Sequence, residues 1–392
     1  MGWRVTETCP QCGGLVTMEE NGRLFSCPFC GVRHAVIWPD LPSYAFAGRY
    51  DGGFLFLAPY LRFKGNIFTC REDAVLSRVV DVSVKAFNLD QAPFSLGMRT
   101  QSMRISFAPE ASDACYLGSY IEVSEVLRRA VNSMPERDPG FHRAFLGEVI
   151  SRIYLPLLLD GKVLRDGLSG KELGTLKGGA AILDGLITKE APRRPMLVPA
   201  LCPECASDLT GEAMSLVFVC GHCGAAWETA PAGLTRIQVF FAECTKTGSL
   251  NLPFWRIEAG ISVPGQTVNG DMPELLTTWT PAFKIRPDLF LSLARRLTSS
   301  TVDIGLTQDR LGAAVYFPVT LPAREAIQAL KVILYKCSVK KKIIGPLLSG
   351  MKVTPRAIDL CYLPFDQSGY DLVCLCLPLA VNKNSLKFGR SL

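Results

Sequence analysis

The stretches Cys9-Pro-Gln-Cys12 and Cys27-Pro-Phe-Cys30 lie 14 residues apart and recur, with the same spacing, as Cys202-Pro-Glu-Cys205 and Cys220-Gly-His-Cys223. The two-residue gap in each pair lets the chain fold into a tight turn that points both sulfurs at one ion. Four thiolates are a ligand set that tetrahedral zinc prefers. The sequence therefore predicts two structural zinc ions per chain, each bound by four cysteines.

This arrangement resembles the zinc-ribbon superfamily, which occurs in transcription factors, polymerase subunits and small bacterial proteins. The resemblance covers about 30 residues in each half and implies a β-hairpin fold around a structural zinc. Asn21-Gly22, a strong hairpin signal, lies inside the first stretch. Glycine follows three of the four cysteine pairs, whereas Ala206 follows the other, which puts only the tightness of that turn in doubt.

Other interpretations of these cysteines stay open. A thioredoxin-type redox pair needs one Cys-x-x-Cys motif on a βαβ unit rather than two paired sets. A rubredoxin-like iron site uses the same four ligands, and Cys27-Pro-Phe-Cys30-Gly31 is similar to a rubredoxin turn, but the short gap between pairs favours a ribbon. His222 lies inside a pair and is an alternative ligand, although an exposed position is the simpler expectation.

The remaining cysteines give no disulfide pattern. The chain has 15 cysteines, an odd number, and its first residues lack the apolar core of a signal peptide. We therefore expect no disulfide framework. Cys374 and Cys376 are spaced for one face of a strand, and we expect core packing rather than a further ligand pair.

Further matches between the halves predict an internal repeat. Pro59-Tyr60-Leu61-Arg62-Phe63 corresponds to Pro253-Phe254-Trp255-Arg256-Ile257, and Tyr154-Leu155-Pro156 corresponds to Tyr362-Leu363-Pro364. These signals follow the cysteines in the same order in both halves. The predicted fold class is α+β with a tandem duplication, each half being a zinc ribbon followed by a mixed, β-rich module with one or two helices.

The local patterns place boundaries and elements. Helices are predicted at Ser124–Met134, Arg286–Ser300 and Leu321–Cys337, and Phe54–Thr69 is predicted to be a pair of strands that turns near Gly65-Asn66. The predicted domains are zinc ribbon 1 at 1–38, an α+β module at 39–188, a linker at 189–199, zinc ribbon 2 at 200–232 and a second α+β module at 233–392.

Charge is concentrated in one segment. The 392 residues include 42 basic and 36 acidic ones, for a net charge of +6. Residues 324–356 hold eight basic residues and one acid, a charge of +7, so the rest of the chain carries −1. A solvated surface is the favoured interpretation, and an anion-binding patch is the alternative. The candidate anion-binding residues are Lys331, Lys336, Lys340, Lys341 and Lys342.

The sequence lacks the motifs that usually accompany catalysis. It has three histidines, and no Gly-x-x-x-x-Gly-Lys-Ser/Thr or Gly-x-Ser-x-Gly motif occurs in it. We therefore expect no enzymatic activity. The leading hypothesis is a cytoplasmic zinc-binding scaffold or adaptor that assembles protein partners, without a transmembrane segment. The alternatives are a nucleic-acid-associated protein that uses residues 324–356, which is not favoured, and a protein at the surface of a membrane or membrane complex.

Overall fold

The structure is a computed structural model that describes most residues of the chain. These are residues 4–20, 22–46, 52–72, 74–97, 105–109, 114–119, 125, 127–128, 140–188, 190–244, 248–264, 275–308 and 315–389.

The described residues form a strand-rich α+β fold, as predicted. The strands are β1 (Arg4–Thr8), β2 (Leu15–Glu19), β3 (Leu24–Ser26), β4 (Arg33–Ile37), β5 (Ser43–Phe46), β6 (Phe54–Cys70), β7 (Val75–Lys85), β8 (Ile105–Phe107), β9 (Cys115–Leu117), β10 (His142–Asp160), β11 (Val163–Asp166), β12 (Glu172–Thr175), β13 (Ile187–Thr188), β14 (Met196–Pro199), β15 (Leu209–Thr210), β16 (Val217–Cys220), β17 (Ala226–Ala230), β18 (Gly233–Ile237), β19 (Val239–Ala242), β20 (Leu250–Ser262), β21 (Leu275–Pro281), β22 (Leu306–Thr307), β23 (Val315–Tyr316), β24 (Lys352–Ser368), β25 (Asp371–Cys374) and β26 (Ala380–Asn382). The helices are α1 (Ala181–Asp184), α2 (Pro287–Thr298), α3 (Ala323–Cys337), α4 (Lys341–Leu347) and α5 (Lys383–Gly389).

The sheet of the first half is built on two long antiparallel strands, β6 and β10, with Tyr154 opposite Pro59. β7, antiparallel, and β9, parallel, pair with β6. β5, parallel, and β11, antiparallel, pair with β10. β8 extends the sheet from β5 and β12 extends it from β11, both antiparallel. Buried aromatic and aliphatic side chains of these strands form the core of this half.

The sheet of the second half repeats this pattern of pairing. β20 and β24 are the long antiparallel strands, and Tyr362 lies opposite Pro253. β21, antiparallel, and β23, parallel, pair with β20, while β19, parallel, and β25, antiparallel, pair with β24. β22 pairs with β19 and β26 with β25, both antiparallel. Each pairing has a counterpart of the same direction in the first half.

Two predicted helices are confirmed, and their sequences explain them. Pro287 stands at the start of α2, where its missing N–H costs nothing, and Phe290, Leu293 and Leu297 are buried on one face. α3 follows Pro322 and buries Leu330 and Ile333 in the same way. None of the described helices is long and apolar enough to cross a membrane.

Two details of the predicted modules are wrong. Within its described residues the second module has four helices, α2 to α5, rather than one or two. Phe54–Cys70 is one continuous strand, because Gly65 and Asn66 pair with Val80 and Val79 of β7 and the ladder outweighs the local turn signal. The helix predicted at Ser124–Met134 lies mostly outside the described residues.

The two halves are joined at several places. Residues 189–199, predicted as a linker, contain β14, which pairs antiparallel with β4 of ribbon 1. Phe68 and Leu146 of the first half belong to the core cluster that holds α2 and α3. The Tyr335 hydroxyl of α3 donates to the backbone carbonyl of Arg71 at 2.5 Å. The halves therefore share hydrogen bonds and core.

One disulfide bond corrects an expectation about the other cysteines. Cys244 and Cys376 are bonded, with 5.8 Å between their Cα atoms. Cys374 is buried in the core, as expected, but Cys376 is only partly buried and has a covalent partner instead. The prediction failed because the partner lies 132 residues away in the sequence.

Candidate metal centres

The cysteines of ribbon 1 converge on one point. Two strand pairs, β1 with β2 and β3 with β4, carry the two Cys-x-x-Cys turns at their ends. The Sγ atoms of Cys9 and Cys30 are 3.9 Å apart, and those of Cys12 and Cys27 are 3.6 Å apart. All four Sγ atoms lie within 4.8 Å of one another. The structure thus brings together the four predicted ligands.

Ribbon 2 brings together its four cysteines in the same way. The Sγ atoms of Cys202 and Cys223 are 3.6 Å apart, and those of Cys205 and Cys220 are 3.4 Å apart. This group also lies within 4.8 Å. In each group the first cysteine of both Cys-x-x-Cys pairs is buried, whereas the second cysteine of the second pair is exposed.

The dimensions of both groups fit a metal ion. A tetrahedral site with metal–sulfur bonds of about 2.3 Å has sulfur–sulfur edges of about 3.8 Å. The distances of 3.4 to 3.9 Å bracket that edge. Four thiolates this close repel one another strongly, so a cation at their centre removes the repulsion. Both groups can therefore hold a metal ion.

The four turns share one hydrogen-bond pattern. The amides of Gly13 and Gly31 donate to the carbonyls of Cys9 and Cys27, at 2.9 Å in both cases. In ribbon 2 the amides of Ala206 and Gly224 donate to Cys202 and Cys220, at 2.8 and 3.0 Å. The residue after each pair has a positive φ, 74° at Gly13 and 57° at Ala206. Ala206 thus adopts the glycine conformation at some cost in backbone strain.

Backbone N–H groups tune the thiols. Burial opposes ionisation of Cys27, but the backbone N–H groups of Cys30 and Phe29 outweigh it and lower the pKa of this thiol to about 6. The backbone N–H of Ser207 lowers the pKa of Cys205 to about 6. At Cys12 and Cys223 a backbone N–H also favours the thiolate, but burial and the neighbouring cysteines outweigh it and raise the pKa to about 12. The turns thus favour the metal-binding thiolate at some of the ligands and not at others.

A histidine that the sequence analysis did not assign to the site lies beside ribbon 1's cysteines. His34 of β4 is buried, and its Nε2 is 3.6 Å from the Sγ of Cys9. Burial lowers the pKa of His34, so the neutral ring is favoured and its N–H can donate to a thiolate. The available signal was the position of His34 in the strand that directly follows the Cys27–Cys30 turn. His222 is exposed and belongs to neither ligand group.

The five candidate anion-binding lysines have different surroundings. The Nζ of Lys331 donates to the carbonyl of Leu348 at 2.9 Å, so this side chain ties α3 to the end of α4. Burial lowers the pKa of Lys331. Lys336 and Lys341 are half-buried, while Lys340 and Lys342 are exposed. The described contacts thus give one of the five a structural role.

Comparisons with family models, with curated proteins and with solved structures found no match to this chain. What the chain can do is therefore argued from its own geometry, in which the two four-cysteine groups are the best-defined chemical feature.

Proposed function

We propose that the chain is a non-catalytic zinc-binding scaffold made of two tandem copies of one unit, a zinc ribbon followed by an α+β module. The observation that carries the proposal is the pattern of strand pairing. Seven pairings of the first sheet have counterparts of the same direction and chain order in the second. Each sheet has two parallel strand pairs at corresponding places, and a match of parallel pairs is less expected by chance than a match of antiparallel ones.

The registers of these pairings support the duplication. Tyr116 pairs opposite Leu57, two residues before Pro59, and Tyr316 pairs opposite Asn251, two residues before Pro253. The ring of Tyr116 meets Tyr154 edge-on at 4.8 Å, and the ring of Tyr316 meets Tyr362 edge-on at 5.2 Å. Equivalent contacts at equivalent positions favour a duplication over chance similarity between two unrelated sheets.

The matching arginines support it further. Arg62 forms ion pairs with Glu20 and Asp81, and Arg256 forms ion pairs with Glu258 and Asp359. Both arginines lie three residues beyond the proline on the long strand. An arginine in an apolar strand is stabilised by a charged partner, and each of these two arginines has acidic partners.

We assign a structural role to both metal sites and name zinc as the ion. Four thiolates fill the tetrahedral coordination of zinc, so no position is left for a reacting water. Metal analysis of protein purified without chelator tests this: we expect two zinc ions per chain. Iron in their place, or fewer than about 1.5 ions, contradicts the assignment.

For the scaffold role we propose a protein-contact surface at the metal end of ribbon 1. Leu15 and Phe29 are 66% and 67% exposed, and the Phe29 ring lies against Gly14. Exposed apolar side chains of this size mark interaction surfaces when they cluster. Co-purification with tagged wild-type protein and with the double variant Leu15→Ser, Phe29→Ser tests the role. We expect a partner protein that the variant loses while it keeps both zinc ions.

A second candidate role is contact with an anionic membrane surface. Val339 is 96% exposed and Ile343 is 54% exposed, and Lys340 and Lys342 stand between them in the sequence. Apolar side chains among lysines suit a lipid surface better than they suit a phosphate backbone. Binding to phosphatidylserine vesicles that is lost on replacing Lys340, Lys341 and Lys342 by glutamine supports this role. Binding to duplex DNA at physiological salt supports the nucleic-acid alternative instead.

A further inference from the structure

A cavity of about 570 Å³ lies between the two halves, and its walls come from both ribbons and both α+β modules. Ligand cavities of small molecules are typically about 300–1,000 Å³ and combine apolar walls with a few polar groups. The walls here include Trp38, Pro42 and Leu216. None of the candidate metal ligands lines it, so the cavity is a separate site.

Three basic side chains line this cavity, and they come from different elements. Arg23 precedes β3, Lys284 follows β21, and Arg324 lies in the first turn of α3. Within the part of the chain that the structure describes, no carboxylate forms an ion pair with Arg23 or Arg324. Arg23 is partly buried. Burial lowers its pKa, nearby Arg324 lowers the pKa further, and the carboxylate of Glu325 opposes the shift. Two arginines that repel each other in a cavity are a recognised setting for an anion.

The acids around the cavity compensate only part of this positive charge. Glu20 is bound to Arg62, and Asp40 faces Arg152 at 3.7 Å, so both have arginine partners outside the lining. The third acid is Glu228, whose pKa burial raises although Arg324 opposes the shift. Glu228 and Arg324 attract each other, so one of the three basic side chains has a carboxylate close by.

The first turn of α3 adds backbone donors. Pro322 precedes the helix, and no side chain caps it. A helix of 15 residues presents the positive end of its dipole, with N–H groups that lack partners in the helix, at the place where Pro322, Ala323 and Arg324 line the cavity. Phosphate groups bind at helix N-termini that are flanked by arginine.

We propose that this cavity binds a phosphorylated small molecule, with the phosphoryl group held by Arg23, Arg324 and the start of α3 and with the apolar part of the ligand against Trp38 and Leu216. Two guanidinium groups match the two negative charges of a phosphate monoester, whereas a carboxylate carries only one. Arg23 and Arg324 belong to opposite halves, so the ligand binds only when the halves are docked.

Calorimetric titration of the full chain with its zinc tests the site, with phenyl phosphate as the probe and benzoate at the same ionic strength as the comparison. We expect saturable binding of phenyl phosphate and at least tenfold weaker binding of benzoate. Arg324→Gln and Arg23→Gln should each weaken phenyl phosphate binding by about tenfold or more, since each removes a charged hydrogen-bond donor. The exposed Arg193→Gln is the matched control and should stay within about twofold of wild type.

Arg324 is exposed at a helix start, so its variant keeps the proposal testable even where Arg23→Gln folds poorly. No saturable binding of phenyl phosphate, or equal binding by wild type and Arg324→Gln, overturns the proposal. Benzoate bound as tightly as phenyl phosphate also overturns it, because the site would then select apolar monoanions rather than a phosphoryl group.

Discussion

Ribbon 1 and ribbon 2 hold their cysteines alike, yet their sheets are completed by strands of different origin. In ribbon 2, β17 pairs with β18, which follows it directly in the chain. In ribbon 1, β4 pairs instead with β14, and residues 38–195 separate these two strands. The metal site of a ribbon is thus a local feature, whereas the last strand of its sheet comes from the next segment of the chain in ribbon 2 and from a distant segment in ribbon 1.

The surroundings of the two metal sites also differ. The position of His34, which meets Cys9 in ribbon 1, is occupied in ribbon 2 by Trp227, whose indole N–H has no partner among the described residues. Leu15 and Phe29 are replaced by Asp208 and His222 at the same spacing from the first cysteine. Ribbon 1 therefore presents an apolar end and ribbon 2 a polar one around the same set of four cysteines.

The largest effect is expected from the removal of a metal ligand. Cys27→Ser and Cys220→Ser should each lower the zinc content from two ions to one, because each removes one of the four ligands. The effect on stability should be large, since structural zinc contributes roughly 10–16 kcal/mol to the folding of small zinc domains. Hydrogen exchange should then accelerate throughout the affected ribbon. Only the Cys27 variant should also release β14, because β14 pairs with ribbon 1. Cys337→Ser, a partly buried cysteine outside both groups, is the control and should keep two zinc ions.

The two matched arginines should differ widely in their contribution to stability. Arg62→Met leaves the side chain of Glu20, only 1% exposed, charged and unpaired, which costs about 3–5 kcal/mol. Arg256 is 28% exposed and its partners stay hydrated, so Arg256→Met should cost about 0–1 kcal/mol. Urea unfolding of both variants measures the difference. Equal losses would show that the two copies use this arginine in the same way.

The dependence of ribbon 1 on β14 can be broken with a single proline. The N–H of Ala200 donates to the carbonyl of Arg33, so by alternation the N–H of Val198 faces β4 and that of Leu197 faces away. Val198→Pro should therefore cost about 1–3 kcal/mol, and Leu197→Pro, its matched control, much less. Chemical denaturation checks the order. The same loss for both prolines would contradict the pairing of β14 with β4.

The smallest effect concerns the one turn without glycine. Ala206 has a φ of 57°, so Ala206→Gly should relieve strain and stabilise ribbon 2 by about 0.5–1 kcal/mol, after the greater entropy of glycine in the unfolded chain is subtracted. Gly13→Ala makes the reverse change in ribbon 1 and should destabilise it by a similar amount. Denaturation midpoints measure both. A destabilised Ala206→Gly variant would show that the alanine side chain has a packing role.

What the sequence predicted well was local. The eight cysteines follow from spacing alone, and α2 and α3 follow from a proline at or just before the first turn and an apolar face. Two of the failures involve partners elsewhere in the chain. Gly65-Asn66 is a good turn signal, but pairing with β7 and β10 on the two edges of β6 overrides it. The Cys244–Cys376 disulfide has no local signature.

The cavity between the halves was beyond sequence reasoning for the same reason. The sequence around Arg23 and around Arg324 carries no motif that marks a binding site. Only the docking of ribbon 1 on the second α+β module brings the two arginines together. His34 was the nearest to being predictable, since it lies in the strand that directly follows the Cys27–Cys30 turn. Its contact with Cys9 still depends on the second turn folding back on the first.

The late position of β14 has a consequence for the order of events on the ribosome. At about 5–20 residues per second, synthesis of residues 38–195 takes roughly ten to thirty seconds. During this time all four cysteines of ribbon 1 have been synthesised and can bind metal, but the edge of β4 that pairs with β14 is unpaired. An open edge next to the buried Ala35, Val36 and Ile37 is a template for pairing with another nascent chain. We therefore expect this protein to aggregate most readily during its synthesis. Chains truncated before residue 196 lack β14, so the edge of β4 should stay unpaired in them.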